Sequence, residues 1–407
     1  MRGVGRGWTA TAAAVGVSAA VVVPVLALLA ARTLGDSTTG TLDVPASTIA
    51  PAAETPGALL VAVDGTEVVG LTAFALAPSG AGGTAVVVPA GSLASVNGIE
   101  RPTRLAAAYT QGGFDGQVTA TEGLLGVTFT VAEQVDEAGM QALFEPLEPI
   151  PVDLPDPVVR TGPDGTVLMQ LPAGRQDLTA AQAAAVLFTR VANETEYVRL
   201  PNQVAVWTGV VAVCERVATP ATEEAPTDVA GFLAAIGAGP HTVVSLTVTP
   251  ALDLVTNPDG IDLLEVDTVD MRILMARILP TAASPTGSGL RVRLVNGTGD
   301  PDALYEATAR LQFVGAAVVA VDDGTDGTTA AETSLRYDPS LTQEQVDTLT
   351  LAVGPVAAAP ATERIDGVDV TLELGQDFLA FLQAAAEEAA AQAVASTGAV
   401  ATTVPAG

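Results

Sequence analysis

Few side chains in this sequence could do nucleophilic or metal chemistry, and their settings argue against most of it. There is one cysteine and one histidine. Cys214 closes the apolar run Val210-Val211-Ala212-Val213. That is the setting of a buried structural thiol, because a reactive one needs a nearby cation or helix N-terminus to lower its pKa. With no second cysteine the fold must hold without an internal disulfide. His241 follows Pro240 at the start of a strand-like run, a structural position, and a lone histidine excludes multi-histidine metal sites. Asp262, Asp267 and Asp270, and the pair Asp322-Asp323, are close enough in sequence to suggest calcium. They lack the regular spacing of a calcium loop and read as solvated loop acids.

The charge balance narrows the partners. The 17 basic and 46 acidic residues give a formal net charge of -29, which repels phosphate backbones and anionic lipid surfaces and excludes direct nucleic-acid binding. Ahead of this acidic body, Arg2 and Arg6 precede the uncharged run Trp8–Ala31. A stretch of about 24 residues is long enough to cross a hydrocarbon core roughly 30 Å thick. A cleaved signal peptide also has a basic start and an apolar run. The length, and the lack of a small-x-small site before Arg32, favour a retained anchor. Arg2 and Arg6 keep its N-terminus cytoplasmic and place the body outside.

Residues 1–32 are thus expected to be a cytoplasmic start and transmembrane helix, and 33–56, rich in Ser, Thr, Ala and Pro, a flexible linker. The body reads as α/β in two domains, 57–280 and 290–381, joined by a linker at 281–289 and followed by an Ala/Glu-rich tail at 382–407. Continuous apolar strands are expected at 58–64, 71–76 and 84–88, as in a sheet covered on both faces. Helices are expected at 104–109, 119–125, 133–144, 179–190 (Thr179 as N-cap), 227–236 and 269–279, with a strand at 242–248. The proline-rich stretch 145–157 reads as extended chain. In the second domain, strands are expected at 290–295, 318–321, 333–337 and 368–374, the last closing the sheet. Helices are expected at 301–313, started by Asp300-Pro301, and at 341–352, capped by Ser340 with Gln343 in capping-box spacing.

The order of several landmarks resembles the LytR-CpsA-Psr family of exported wall-polymer transferases. These are Leu59-Leu60-Val61-Ala62-Val63-Asp64, Arg104-Leu105-Ala106-Ala107-Ala108-Tyr109 with Gly112-Gly113, and Thr121-Glu122-Gly123-Leu124-Leu125-Gly126-Val127. Pro172 to Thr179, with Gln182-Ala183, follows the same pattern. Arg291-Val292-Arg293-Leu294-Val295-Asn296-Gly297-Thr298-Gly299 is similar to the opening of a LytR C-terminal domain. The resemblance implies an α/β sandwich with a central sheet, then a small α/β domain. It implies arginines holding a prenyl pyrophosphate and acids holding magnesium.

The chain departs from that pattern at the chemistry. Val69-Gly70-Leu71-Thr72 stands where the family has Arg-Ser-Asp-Thr, and Pro89-Ala90-Gly91 where it has Pro-Arg-Asp. Arg199-Leu200-Pro201-Asn202-Gln203 keeps one arginine of Arg-x-x-Arg-Gln. Charge-assisted hydrogen bonds contribute on the order of 1.5–3 kcal/mol each, so these losses remove most of an anion clamp. The expectation is a non-catalytic envelope protein, without catalytic residues or cofactor, that binds a wall polymer, a prenyl-pyrophosphate lipid or an envelope protein. Asp64, Arg104, Arg190 and Arg199 are the candidates for a remnant ligand pocket. The alternative is an active, magnesium-dependent phosphotransferase that attaches lipid-linked polymers to peptidoglycan.

Overall fold

A computed structural model of the chain describes residues 48–52, 54–162, 164–190, 195–218, 224–251, 262–283, 289–324 and 329–400. The expected membrane helix over Trp8–Ala31 lies outside these, as does the end of the tail. Among the described residues no helix is long and apolar enough to cross a membrane.

The first domain is organised by a mixed sheet of β1 (Gly57–Asp64), β2 (Glu67–Leu76), β3 (Gly83–Val88), β4 (Val131–Val135) and β5 (His241–Ser245), in spatial order β5-β3-β2-β1-β4. β2 runs antiparallel to β1 and β3, while β4 runs parallel to β1 and β5 parallel to β3. The carboxyl ends of β1, β3, β4 and β5 therefore share one edge. Residues 58–63 of β1 are all buried, as expected of a strand covered on both faces.

Helices α1 (Ala107–Leu125), α2 (Glu137–Phe144), α3 (Ala180–Phe188), α4 (Glu196–Val213), α5 (Val229–Gly237) and α6 (Thr268–Ile278) belong to this domain. Of the two helical stretches expected at 104–109 and 119–125, the first is helical only from Ala107 and both run together in α1, which breaks its own geometry at Gly113, where φ is 64° and ψ is -153°. Only glycine adopts such a backbone readily. Arg104 lies before the helix, in a two-residue strand paired with Leu93–Ala94. Thr179 caps α3 in a full capping box with Gln182. Trp207 of α4 stacks edge-on against Phe74 and Phe144, with centroids 5.4 and 5.5 Å away.

Several expectations need correction. The helix expected at 133–144 starts only at Glu137, capped by Asp136, because Val131–Val135 pairs with β1 as an edge strand. The proline-rich stretch opens with a 3-10 turn at Glu145–Leu147 and is extended, as expected, over Ile150–Leu154, which pairs antiparallel with Gly174–Leu178. Within the segment read as flexible linker, Thr48–Ala50 pairs in parallel with Glu363–Ile365 of the second domain.

The second domain has a sheet of β6 (Arg291–Asn296), β7 (Ala317–Asp323), β8 (Ser334–Tyr337), β9 (Ala357–Pro360) and β10 (Val370–Leu374), in order β7-β6-β10-β8-β9. β10 does not close the sheet. It lies at the centre, and the unforeseen β9 forms the edge. Helices α7 (Pro301–Phe313), α8 (Gln343–Val353) and α9 (Gln376–Val400) follow the strands. The α8 cap is Thr342, boxed with Gln345, two residues beyond the expected pair. Ser340 is drawn instead to Asp338, which accepts from both its amide and its hydroxyl.

The Asn296-Gly297-Thr298-Gly299 stretch serves this fold. Asn296 Oδ1 accepts from the Thr298 amide and hydroxyl, and Asn296 Nδ2 donates to the Asp300 carbonyl. A Cβ on Gly297 would sit 2.6 Å from the Leu374 carbonyl oxygen. The two domains also share α6. Met271 and Met275 enter the first core, while Ile273 and Ala276 enter the second. Spacing of four and three residues puts each pair on its own helix face.

Candidate functional site

The carboxyl edge of the first sheet is where ligands bind in open α/β folds, and all four candidate residues lie near it. The structure sorts them into two pairs. Asp64 ends β1 in an exposed position, with Glu67 as its cross-strand partner. Glu67 forms an ion pair with Arg190, just beyond the end of α3. Beside them Arg160 grips Glu137 of α2 through both guanidinium nitrogens, one contact being 2.7 Å. That hydrogen bond, with the charges of Glu137 and Asp64, raises the Arg160 pKa against the effect of burial. This is a neutralised, half-exposed charge cluster.

The second pair converges on a residue that sequence reasoning missed. Glu196, in the first turn of α4, is only 2% exposed. Its carboxylate turns away from its own helix to the loop after β3, accepting from the Ala90 amide at 2.7 Å and the Gly91 amide at 2.5 Å. Its own amide donates to Asp262 at 2.9 Å. Burial raises the Glu196 pKa, opposed by the Ala90 amide, Arg199, the Gly91 amide and Arg104. Arg199 is buried and donates through Nη2 to the Leu187 carbonyl at 2.9 Å. The charge of Arg104 favours the charged form of the same carboxylate, yet its buried Nε and Nη2 make no hydrogen bond.

Gly91 is tied to this arrangement. A Cβ there would lie 2.9 Å from Glu196 Oε2, so an aspartate at 91 and a carboxylate from 196 compete for one space. The sequence carried no signal for Glu196, because no helix was expected at 196–213, and an acid in a first helical turn is in any case accounted for by the dipole.

Magnesium, which the resemblance brings with it, does not match the donors present. Asp64 has only Glu67 opposite, and Glu67 is committed to Arg190. Leu71 and Gly91 stand where further acids would be needed. Among the described residues no group of three or more His, Cys, Asp or Glu converges. The acids once considered for calcium are engaged separately. Asp267 caps α6, Asp270 accepts from Thr247, Asp322 pairs with Arg293 and Asp323 with Arg277.

Space for an apolar ligand is distributed unevenly. Under the sheet, among Leu60, Leu71, Met140, Leu187, Gln203 and Trp207, only about 10 Å³ remains. On the outer flank of α4 lies an open groove of about 870 Å³. Its walls include Val152, Leu200, Val204, Leu246 and Val248, with Tyr197 and Arg175 adding polar groups. That volume is within the usual range for small-molecule sites. The groove and the Glu196 site share one helix, since Tyr197 and Leu200 neighbour Glu196 and Arg199 in the chain. Cys214, by contrast, is fully buried, and burial pushes its thiol pKa up to about 12. His241 is exposed, its Nδ1 near the Gly239 carbonyl.

Residues 81–222 match the model of the LytR_cpsA_psr family. Among solved structures, the chain is similar to TagV of B. subtilis, at 19% identity and a TM-score of 0.40, covering 54% of this chain and 94% of that one. It is similar to a LytR-Csp2A-Psr enzyme from Actinomyces oris, at 20% identity and a TM-score of 0.41, covering 58% and 95%. A third is YwtF (TagT), a LytR-CPS2A-psr family protein with bound octaprenyl pyrophosphate lipid, at 13% identity and a TM-score of 0.39, covering 56% and 89%. No curated protein matches the chain significantly.

Proposed function

Because residues 81–222 carry the LytR_cpsA_psr domain, we propose that this protein is a non-catalytic envelope relative of the wall-polymer transferases. In this reading the helix over Trp8–Ala31 tethers it to the outer face of the membrane. The groove along α4 takes the apolar chain of a lipid-linked precursor and does not cleave its head group.

One observation carries the reading: the arginines at the carboxyl edge already act within this chain. Arg190 pairs with Glu67, Arg160 pairs with Glu137, and Arg199 donates to the Leu187 carbonyl, while the charges of Arg199 and Arg104 favour the charged form of Glu196. A pyrophosphate arriving there meets a neutralised edge in a protein of net charge -29, and phosphoryl transfer depends on positioning and on stabilising the charge of the transferred group. The apolar groove beside that edge is nevertheless open.

The test places the full chain in neutral-lipid nanodiscs and titrates a fluorescent prenyl alcohol. Saturable binding is expected, falling at least tenfold in Val204→Trp, which fills the groove with an indole. Equal binding by both proteins would remove the groove from the account.

A further inference from the structure

The contact between Glu196 and the loop after β3 is unusual for a carboxylate in a first helical turn. Such a residue ordinarily stays near the exposed amides of its own helix. Here it spans 105 residues of sequence to accept from two consecutive amides of another loop; Arg199 follows it one turn along α4, and Arg104 stands two residues before Ala106, whose amide donates to the Ala90 carbonyl at 2.9 Å. Two convergent amides and two arginines form a receptor for a tetrahedral oxyanion. β3 has already ended at Val88, and Ser92 closes the turn through its own amide to Pro89.

We propose that Glu196 is a built-in occupant of a phosphate-class oxyanion site, made by the Ala90 and Gly91 amides with Arg104 and Arg199, and that it keeps this site closed in cis. The inference rests on the functional reading above only in taking this edge as the head-group end of the groove. Two further features support it. Arg104 keeps buried Nε and Nη2 without hydrogen bonds, so the internal carboxylate, with two oxygens already on amides, leaves donors of the site unspent. Gly91 leaves the space that the occupant fills, since a Cβ would collide with Oε2.

The experiment uses the full chain in neutral-lipid nanodiscs and inorganic pyrophosphate without metal, read by isothermal titration calorimetry. The wild type should bind pyrophosphate only weakly. Glu196→Ala should bind pyrophosphate at least tenfold more tightly than the wild type, and Glu196→Ala with Arg104→Ala should lose that gain. A prenyl diphosphate titrated in parallel separates the sources: binding tighter than pyrophosphate identifies a lipid head group, and equal binding a free phosphate anion.

A folded Glu196→Ala protein that binds no better than the wild type overturns the proposal, as does a gain that survives loss of Arg104. Glu196→Ser removes the carboxylate and empties most of its space, and is read in the same way if the alanine variant is unstable. If both variants lose cooperative unfolding, Glu196 is a structural bolt and the proposal fails. The prenyl-alcohol titration stays separate, because the groove can fail while the oxyanion site opens, and the converse.

Discussion

Trp207 is the clearest point at which the packing of this domain can be tested. It is 2% exposed, with Phe74 and Phe144 edge-on at interplanar angles of 74° and 84°. It fills the space under the sheet until about 10 Å³ is left. Trp207→Ala removes the indole from between a sheet and two helices that cannot collapse inward, because Leu60 and Leu71 are fixed in central strands. Large-to-small changes of this kind cost roughly 3–5 kcal/mol. Two edge-to-face pairs at roughly 0.5–1.5 kcal/mol each account for part of that. Against a typical stability of about 5–15 kcal/mol, the variant should lose roughly a fifth or more. Equilibrium urea unfolding followed by circular dichroism should show a lower midpoint with an unchanged slope. Trp207→Phe should lose less. A loss under about 1 kcal/mol for the alanine variant would mean that the space under the sheet is not filled as described, and that a second apolar cavity competes with the groove.

Two other outcomes follow from single groups. Cys214, fully buried with a thiol pKa pushed up to about 12, should resist iodoacetamide at neutral pH in the folded protein and react once urea unfolds it; rapid native alkylation, followed by mass spectrometry, would contradict that burial. Burial works against the charged form of Asp338, but the Ser340 amide and hydroxyl and the Arg364 guanidinium outweigh it and hold the pKa below the usual value of 3.8. A depressed folded-state pKa gives stability that is present above the unfolded value and is lost as pH falls through the folded one. Asp338→Asn should therefore flatten the acid limb of a thermal-melt series below about pH 4. An unchanged limb would mean that other carboxylates set it.

The central strands were legible because they are buried on both faces, so their apolar runs are long and unbroken. The edge strand Val131–Val135 was not, because its mixed burial reads equally well as the start of the helix that follows. Thr342 was passed over for Ser340 because the two positions offer the same capping chemistry, and only the tertiary pull of Asp338 separates them. The pairing of Thr48–Ala50 with Glu363–Ile365 could not be read at all, since more than 300 residues separate the partners in the chain. At the site, the missing charges were legible by comparison with a pattern. Glu196 was not, because its meaning lies in the distant loop it reaches. Asp64 and Arg190 fell in one cluster and Arg104 and Arg199 in another, a division that depends on which acid each arginine meets.

The most direct measurement is release of prenyl monophosphate from a prenyl-diphosphate-linked saccharide by the full chain in nanodiscs, with magnesium and a peptidoglycan acceptor present. The account predicts that the lipid is bound in the α4 groove and that no prenyl monophosphate is released and no polymer transferred over many hours. Turnover that Arg199→Ala abolishes would contradict it and restore this chain to the working transferases.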